Sequence, residues 1–194
     1  GLAPTGDKDP YALRRHALGI CRLLAENNLS LSLPELLELA RAQFPQKEVQ
    51  EKAKIEDIYA FIIDRLRAYL RDQSVAGKPF TSAEIDAVLS QDPAQINDLI
   101  ERLAALREFN ALPEAAQLAA ANKRISNILK KTTTPIPNAC SKQLLQIPAE
   151  IAVHQALETV TPALNAAYEK RQFVELLKAL VALSVPIDQF FADV

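Results

Sequence analysis

The sequence predicts an all-α protein, and three observations carry that prediction. Gly occurs four times and Trp not at all, and β-branched runs are few, whereas Ala and Leu abound beside Glu, Lys, Arg and Gln, the stronger helix formers. Apolar residues recur at helical spacing along most of the chain. Pro and capping residues punctuate those stripes where helices begin.

Taken in order, Asp9-Pro10 opens the first helix, in which Leu13, Ala17, Ile20 and Leu24 form one stripe with Cys21 at its edge. Arg15 and Arg22 then point the opposite way. Asn27-Asn28 ends it. Ser32-Leu33-Pro34-Glu35 reads as a capping box leading a helix that runs to Phe44-Pro45. A longer helix is expected from about Gln46 to Asp72, its stripe drawn from Ile55, Ile58, Tyr59, Ile62, Leu66 and Tyr69. Arg65, Arg67 and Arg71 crowd its end, where a helix dipole favours cations.

Gly77-Lys78-Pro79 breaks the pattern, and Thr81-Ser82-Ala83-Glu84 is a second capping box for a short helix to Gln91. Asp92-Pro93 is expected to open the next helix, ending near Phe109, and Leu112-Pro113 the one that reaches Lys131. Thr132 to Asn138 is a loop. Helices follow from Pro148 to about Tyr168 and from about Gln172 to Leu183, with a short turn after Pro186. The clearest division falls at Asp92-Pro93, giving an N-terminal helical piece, 1–91, and a C-terminal bundle, 92–194.

With 49 % apolar residues in 194 the chain can build a core, and 22 basic against 24 acidic residues give no global field for nucleic acid or membrane. No apolar stretch has spanning length and no signal peptide opens the chain, so a soluble, cytoplasmic protein is expected. The absence of Met and the start at Gly1 suit a piece of a longer polypeptide. Cys21 and Cys140 lack any CxxC pattern and are expected to be reduced bystanders. His16 and His154 have no ligand-type neighbours at helical spacing, so no metal site is expected. No HExxH, GxSxG, Walker A or GxGxxG run is present. Paired acids such as Glu56 with Asp57 are better explained as solvated charges than as a general acid and base.

Basic patterning remains. From Ala115 to Ala149 there is no acid, while Lys123, Arg124, Lys130, Lys131 and Lys142 are present. On a helix whose buried stripe is Leu118, Ile125 and Leu129, the pairs Lys123 with Lys130 and Arg124 with Lys131 fall on the outer face, with Asn127 between them. Such a lattice suits phosphate oxygens, and the amide suits a base edge or ribose hydroxyl. A helix C-terminus also favours Lys through its dipole. Arg15 and Arg22, bordered by Arg14, make a second basic face, equally suited to packing on another part of a parent protein. Asn122, near the stripe, is expected to be a buried amide bracing a loop.

The run Thr5-Gly6-Asp7-Lys8-Asp9-Pro10-Tyr11-Ala12-Leu13-Arg14-Arg15 closely resembles the start of the C-terminal region of the bacterial glycyl-tRNA synthetase β subunit. Phe61 to Leu66, Glu84 to Leu89, Leu112-Pro113-Glu114-Ala115 with Ala120 to Leu129, and Leu183 to Phe191 resemble that family in the same order. The resemblance implies the tail of an HD-like helical region followed by a DALR-type anticodon-binding domain. No His-Asp pair is present, so no phosphohydrolase chemistry is implied. Family members continue beyond the Phe-Phe motif into a helix with an Asn-Arg-Leu run; its absence here implies uncovered apolar surface or a dimer that buries it.

The resemblance further implies a non-catalytic segment that binds tRNA(Gly) by its anticodon arm and partners an α subunit carrying the ATP and glycine site, with Mg used there. No cofactor is implied for the segment itself, and neither DNA nor membrane is a partner. The tRNA-binding residues expected are Lys123, Arg124, Asn127, Lys130 and Lys131, with Arg14, Arg15 and Arg22 behind them. The alternative is a helical protein-interaction scaffold whose cations serve solubility.

Overall fold

The computed structural model describes residues 9, 11–45, 51–52, 54–136 and 140–193. They are overwhelmingly helical, as the composition requires. The chain divides into two compact units, residues 1–104 and 105–194.

In the first unit, α1 (Leu13–Glu26), α2 (Leu33–Ala42) and α4 (Ser82–Leu89) gather around α3 (Ile55–Arg71). The α1 stripe buries Ala17, Cys21 and Leu24, against Ile62, Leu66 and Tyr69 of α3. The expected start of α3 at Gln46 lies outside the described residues. The α1 start is capped by Asp9, whose carboxylate accepts from the amides of Leu13 at 2.8 Å and Arg14 at 3.0 Å. Ser32 Oγ accepts from the Glu35 amide, and the Thr81-Glu84 box is complete: Thr81 Oγ1 accepts from the Glu84 amide while Glu84 Oε2 accepts from the Thr81 amide.

Two local expectations are corrected. The break at Gly77 is a small hairpin in which β1 (Ser74–Val75) pairs antiparallel with β2 (Lys78–Pro79). Ala76 and Gly77 both have positive φ, 52° and 74°, as a type I′ turn demands. Asp92-Pro93 does not open a helix; α5 spans Leu99–Asn110. The ring of Pro93 disfavours helical backbone at Asp92, which sits at φ 46°. The segment beyond is then claimed by tertiary bonds: Leu33 N donates to the Ala94 carbonyl, Tyr59 Oη donates to the Pro93 carbonyl, and Ser32 bridges Gln95. Ile96, Leu99 and Leu103 join the same core, which places the unit boundary inside α5, downstream of the junction expected at residue 92.

In the second unit α6 (Pro113–Lys131) is followed by α7 (Pro148–Glu169), α8 (Phe173–Ala179), a 3-10 turn (Leu180–Leu183) and α9 (Ser184–Asp193). Helix α7 packs against both α8 and α9, and α9 also meets α6. Pro186 lies in the first turn of α9, where a missing N–H costs nothing, so a full helix replaces the expected short turn. Buried positions here are mostly small: Ala115, Ala121, Ala149, Val160 and Ala167, with Phe173 and Leu183. No helix among the described residues is long and apolar enough to cross a membrane.

Candidate nucleic-acid interface

Helix α6 carries the densest set of expected contact residues. Lys123 and Arg124 lie four and three positions before Asn127, and Lys131 four after it, so they line one shallow hollow with Ala120 and Ile128. Lys130 is exposed at its border. Among the described residues none of these four cations has a carboxylate partner within an ion-pair distance. Arg124 is held differently: its guanidinium carbon lies 4.0 Å from the centre of the Phe191 ring. Phe191 meets Phe190 edge-on at 5.3 Å. A stacked guanidinium keeps its in-plane donors for an anion, so the charge is positioned without being neutralised. The aromatic pair lies sixty-odd residues downstream, and no pattern in the sequence signals its meeting with Arg124.

Three readings along this tract are corrected. Leu129 is 48 % exposed and Ile128 52 %, rather than Leu129 being buried. Every residue from Asn127 to Ile136 is exposed, because the other helices of the unit cover α6 only up to about Ser126. Asn122 is exposed too, so it braces nothing from a buried position. Lys142 drops out of the free cations: its Nζ lies 2.6 Å from Glu158 Oε1 on α7, and that bond holds the Glu158 carboxyl below its usual range.

The arginines of α1 converge with one that the sequence had assigned to a helix end. Arg14, Arg15 and Arg22 line an open hollow opposite Arg65 of α3. Arg22 Nε pairs with Glu26 Oε1 at 2.8 Å. Neither cysteine takes part in chemistry of this kind. Cys21 is buried, its thiol donating to the Ile62 carbonyl at 3.7 Å, and burial pushes its pKa up to about 11; Cys140 is exposed. No group of three or more His, Cys, Asp or Glu residues is arranged for a metal among the described residues.

An exposed helix end whose four cations have no carboxylate partner among the described residues, with an amide between them, can hold phosphate oxygens. The family model described as Glycyl-tRNA synthetase beta subunit matches residues 1–90. Over all 194 residues the chain is 49 % identical to the glycine–tRNA ligase beta subunit of Dechloromonas aromatica, 47 % to that of Ralstonia nicotianae and 46 % to that of a Janthinobacterium species. It covers 26 %, 27 % and 27 % of those proteins, respectively. The chain is thus similar throughout its 194 residues to glycine–tRNA ligase beta subunits, and it spans about a quarter of the length of those it matches.

Proposed function

We propose that this chain is a tRNA-binding segment of a glycine–tRNA ligase β subunit, engaging the anticodon arm of tRNA(Gly) while ATP-dependent attachment of glycine proceeds on a partner α subunit in the cytoplasm. The segment supplies no catalytic group; ATP and Mg act on the α subunit. Residues up to about 91 serve as the tail of an HD-like helical region, and the remainder as an anticodon-binding bundle. Placement toward the C-terminal end of the β subunit rests on the ordered blocks from Thr5 to Phe191 alone.

The observation that carries this reading is the face of α6 on which Lys123, Arg124, Lys130 and Lys131 surround Asn127, all five exposed and, among the described residues, without a carboxylate partner. In a molecule of net charge −2, such a face gives a local grip on a polyanion. Arg14, Arg15 and Arg22 add a secondary contact. Filter binding of tRNA(Gly) across a salt series tests it. Replacing Lys123 and Arg124 with Ala should weaken binding and flatten the dependence of log K on log salt by about 0.7 to 0.9 per phosphate contact removed. Unchanged affinity and slope remove the face from the site, and equal affinity for an anticodon-swapped tRNA removes anticodon recognition.

A scaffold that binds another protein is the second reading, favoured by the apolar side chains left in solvent on the second unit: Val185 is 75 % exposed, Leu144 75 % and Tyr168 59 %. It requires attraction to tRNA that is weak and insensitive to salt.

A further inference from the structure

We propose that the hollow on α6 seats one unpaired nucleobase, with the open side of the Arg124 guanidinium as its stacking platform. This rests on the tRNA reading above and adds a mode of binding to it: the site takes single-stranded RNA by a base as well as by phosphates.

The side chains of the hollow fall in two rows, each stepping by four along the helix, so that each row runs down one line of its surface. One row is Lys123, Asn127 and Lys131; the other is Ala120, Arg124 and Ile128. Two cations about an amide suit a sugar-phosphate strand. The second row is different in kind. It sets a single charge between two apolar side chains, and Ile128 keeps 52 % of its surface in solvent although three cations share the hollow with it. Phosphate oxygens gain nothing from Ile128 and lose water against it.

Arg124 gives that row a use. Phe191 covers one side of its guanidinium, 4.0 Å from Cζ to ring centre, and Phe191 meets Phe190 edge-on at 5.3 Å. Arg124 is nevertheless exposed and lines the hollow, which leaves the other side of the plane open. A guanidinium backed by a ring is a flat surface of fixed orientation, with its donors at the rim. Unstacked bases bind such planes while their edges take hydrogen bonds. A base laid on Arg124 has Ile128 one turn along as an apolar neighbour, and the Asn127 amide offers its edge both donors and an acceptor. Lys123 and Lys131, one turn to either side of Asn127, are then placed for the phosphates that flank the nucleotide. The open hollow, about 510 Å³, has room for such a group. An RNA duplex keeps its base faces stacked inside and leaves the Arg124 row without a partner. An acidic peptide brings charge but no flat face.

The test compares two strands of equal length and charge: a single-stranded RNA of about nine nucleotides, and a copy whose riboses are all abasic. Fluorescence anisotropy with the 194-residue chain, across a salt series, reads both. The base-bearing strand is expected to bind about tenfold more tightly than its abasic copy. Arg124→Lys keeps the charge and loses the plane, so it should weaken the base-bearing strand about fivefold while the abasic strand and both salt slopes stay unchanged. Ile128→Ser, at an exposed position, should act with the same selectivity. Equal affinity of the unaltered chain for the two strands overturns the base seat and leaves α6 a phosphate-binding face. No loss in Arg124→Lys, or an equal loss on both strands, removes the stacking platform. Polyglutamate competing as well as the base-bearing strand makes the occupant an acidic peptide and overturns the proposal. Absence of salt-dependent binding to either strand is the separate failure that takes the tRNA reading with it.

Discussion

Asp98 grips Arg102 one helical turn ahead of it through two bonds, Nε to Oδ1 and Nη2 to Oδ2, each 2.9 Å, while the carboxylate itself is 2 % exposed. The geometry is the two-pronged one that makes an ion pair strong, and the low exposure makes its rupture expensive. Arg102→Met is expected to cost about 2–4 kcal/mol in urea unfolding, because a carboxylate stays buried without its fork. Arg67→Met at the solvent-exposed pair with Asp86 is expected to stay within about 1 kcal/mol. Equal losses in the two variants contradict this ranking.

Alkali exposes the burial of Cys21. Its thiol ionises near pH 11 in the folded chain and near the ordinary 9.0 once unfolded. The unfolded state therefore loses the proton first, so stability is full below about pH 9 and declines as pH rises toward 11. Cys21→Ala should remove that part of the slope in unfolding curves measured over this window. Thiol labelling at pH 8 gives a companion readout: Cys140 reacts at once and Cys21 only on unfolding.

The hairpin turn invites an improvement. Ala76 holds φ 52°, a conformation in which its Cβ is crowded, immediately before Gly77. Ala76→Asn creates the Asn-Gly pair that this turn prefers and is expected to raise stability by roughly 0.5–1 kcal/mol. A drop in the melting temperature of the variant sinks the assignment of the turn.

Phe191 should matter to RNA binding without touching charge. Phe191→Leu releases the Arg124 guanidinium from its stack, worth roughly 0.5–1 kcal/mol at an exposed site, or about two- to fivefold in affinity for tRNA(Gly). The salt slope should stay as it was, since every cation remains. A slope that changes as much as in the Lys123 and Arg124 variants makes Phe191 something other than a positioner.

How much of this could be read from the residues varies with the range of the interaction. The Thr81-Glu84 box and the Pro113 start of α6 were legible, because a cap is satisfied within one turn of its own sequence. Asp92-Pro93 carries the same local signature and opens no helix, since the strand-like bridge to Ser32 decides that backbone from far along the chain. The outward face of α6 was legible from its cation spacing. Its exposed Leu129 was not, because periodicity tells which residues share a face and not how far the neighbouring helices extend. Lys142 looked free until Glu158 met it, and Arg65 looked like a helix-end charge until α1 was folded alongside. Both are pairings between elements, which a linear pattern does not encode.

The far end of α6 projects like a cantilever. From Asn127 onward every described residue of it is exposed, and its repeated positive charges push against one another along the same rail. Its rungs should thus open and exchange their amide hydrogens sooner than those of α5 around Leu103, which is wholly buried. An anion held across that rail should therefore slow the exchange of these same amides, a change that hydrogen–deuterium exchange reads directly.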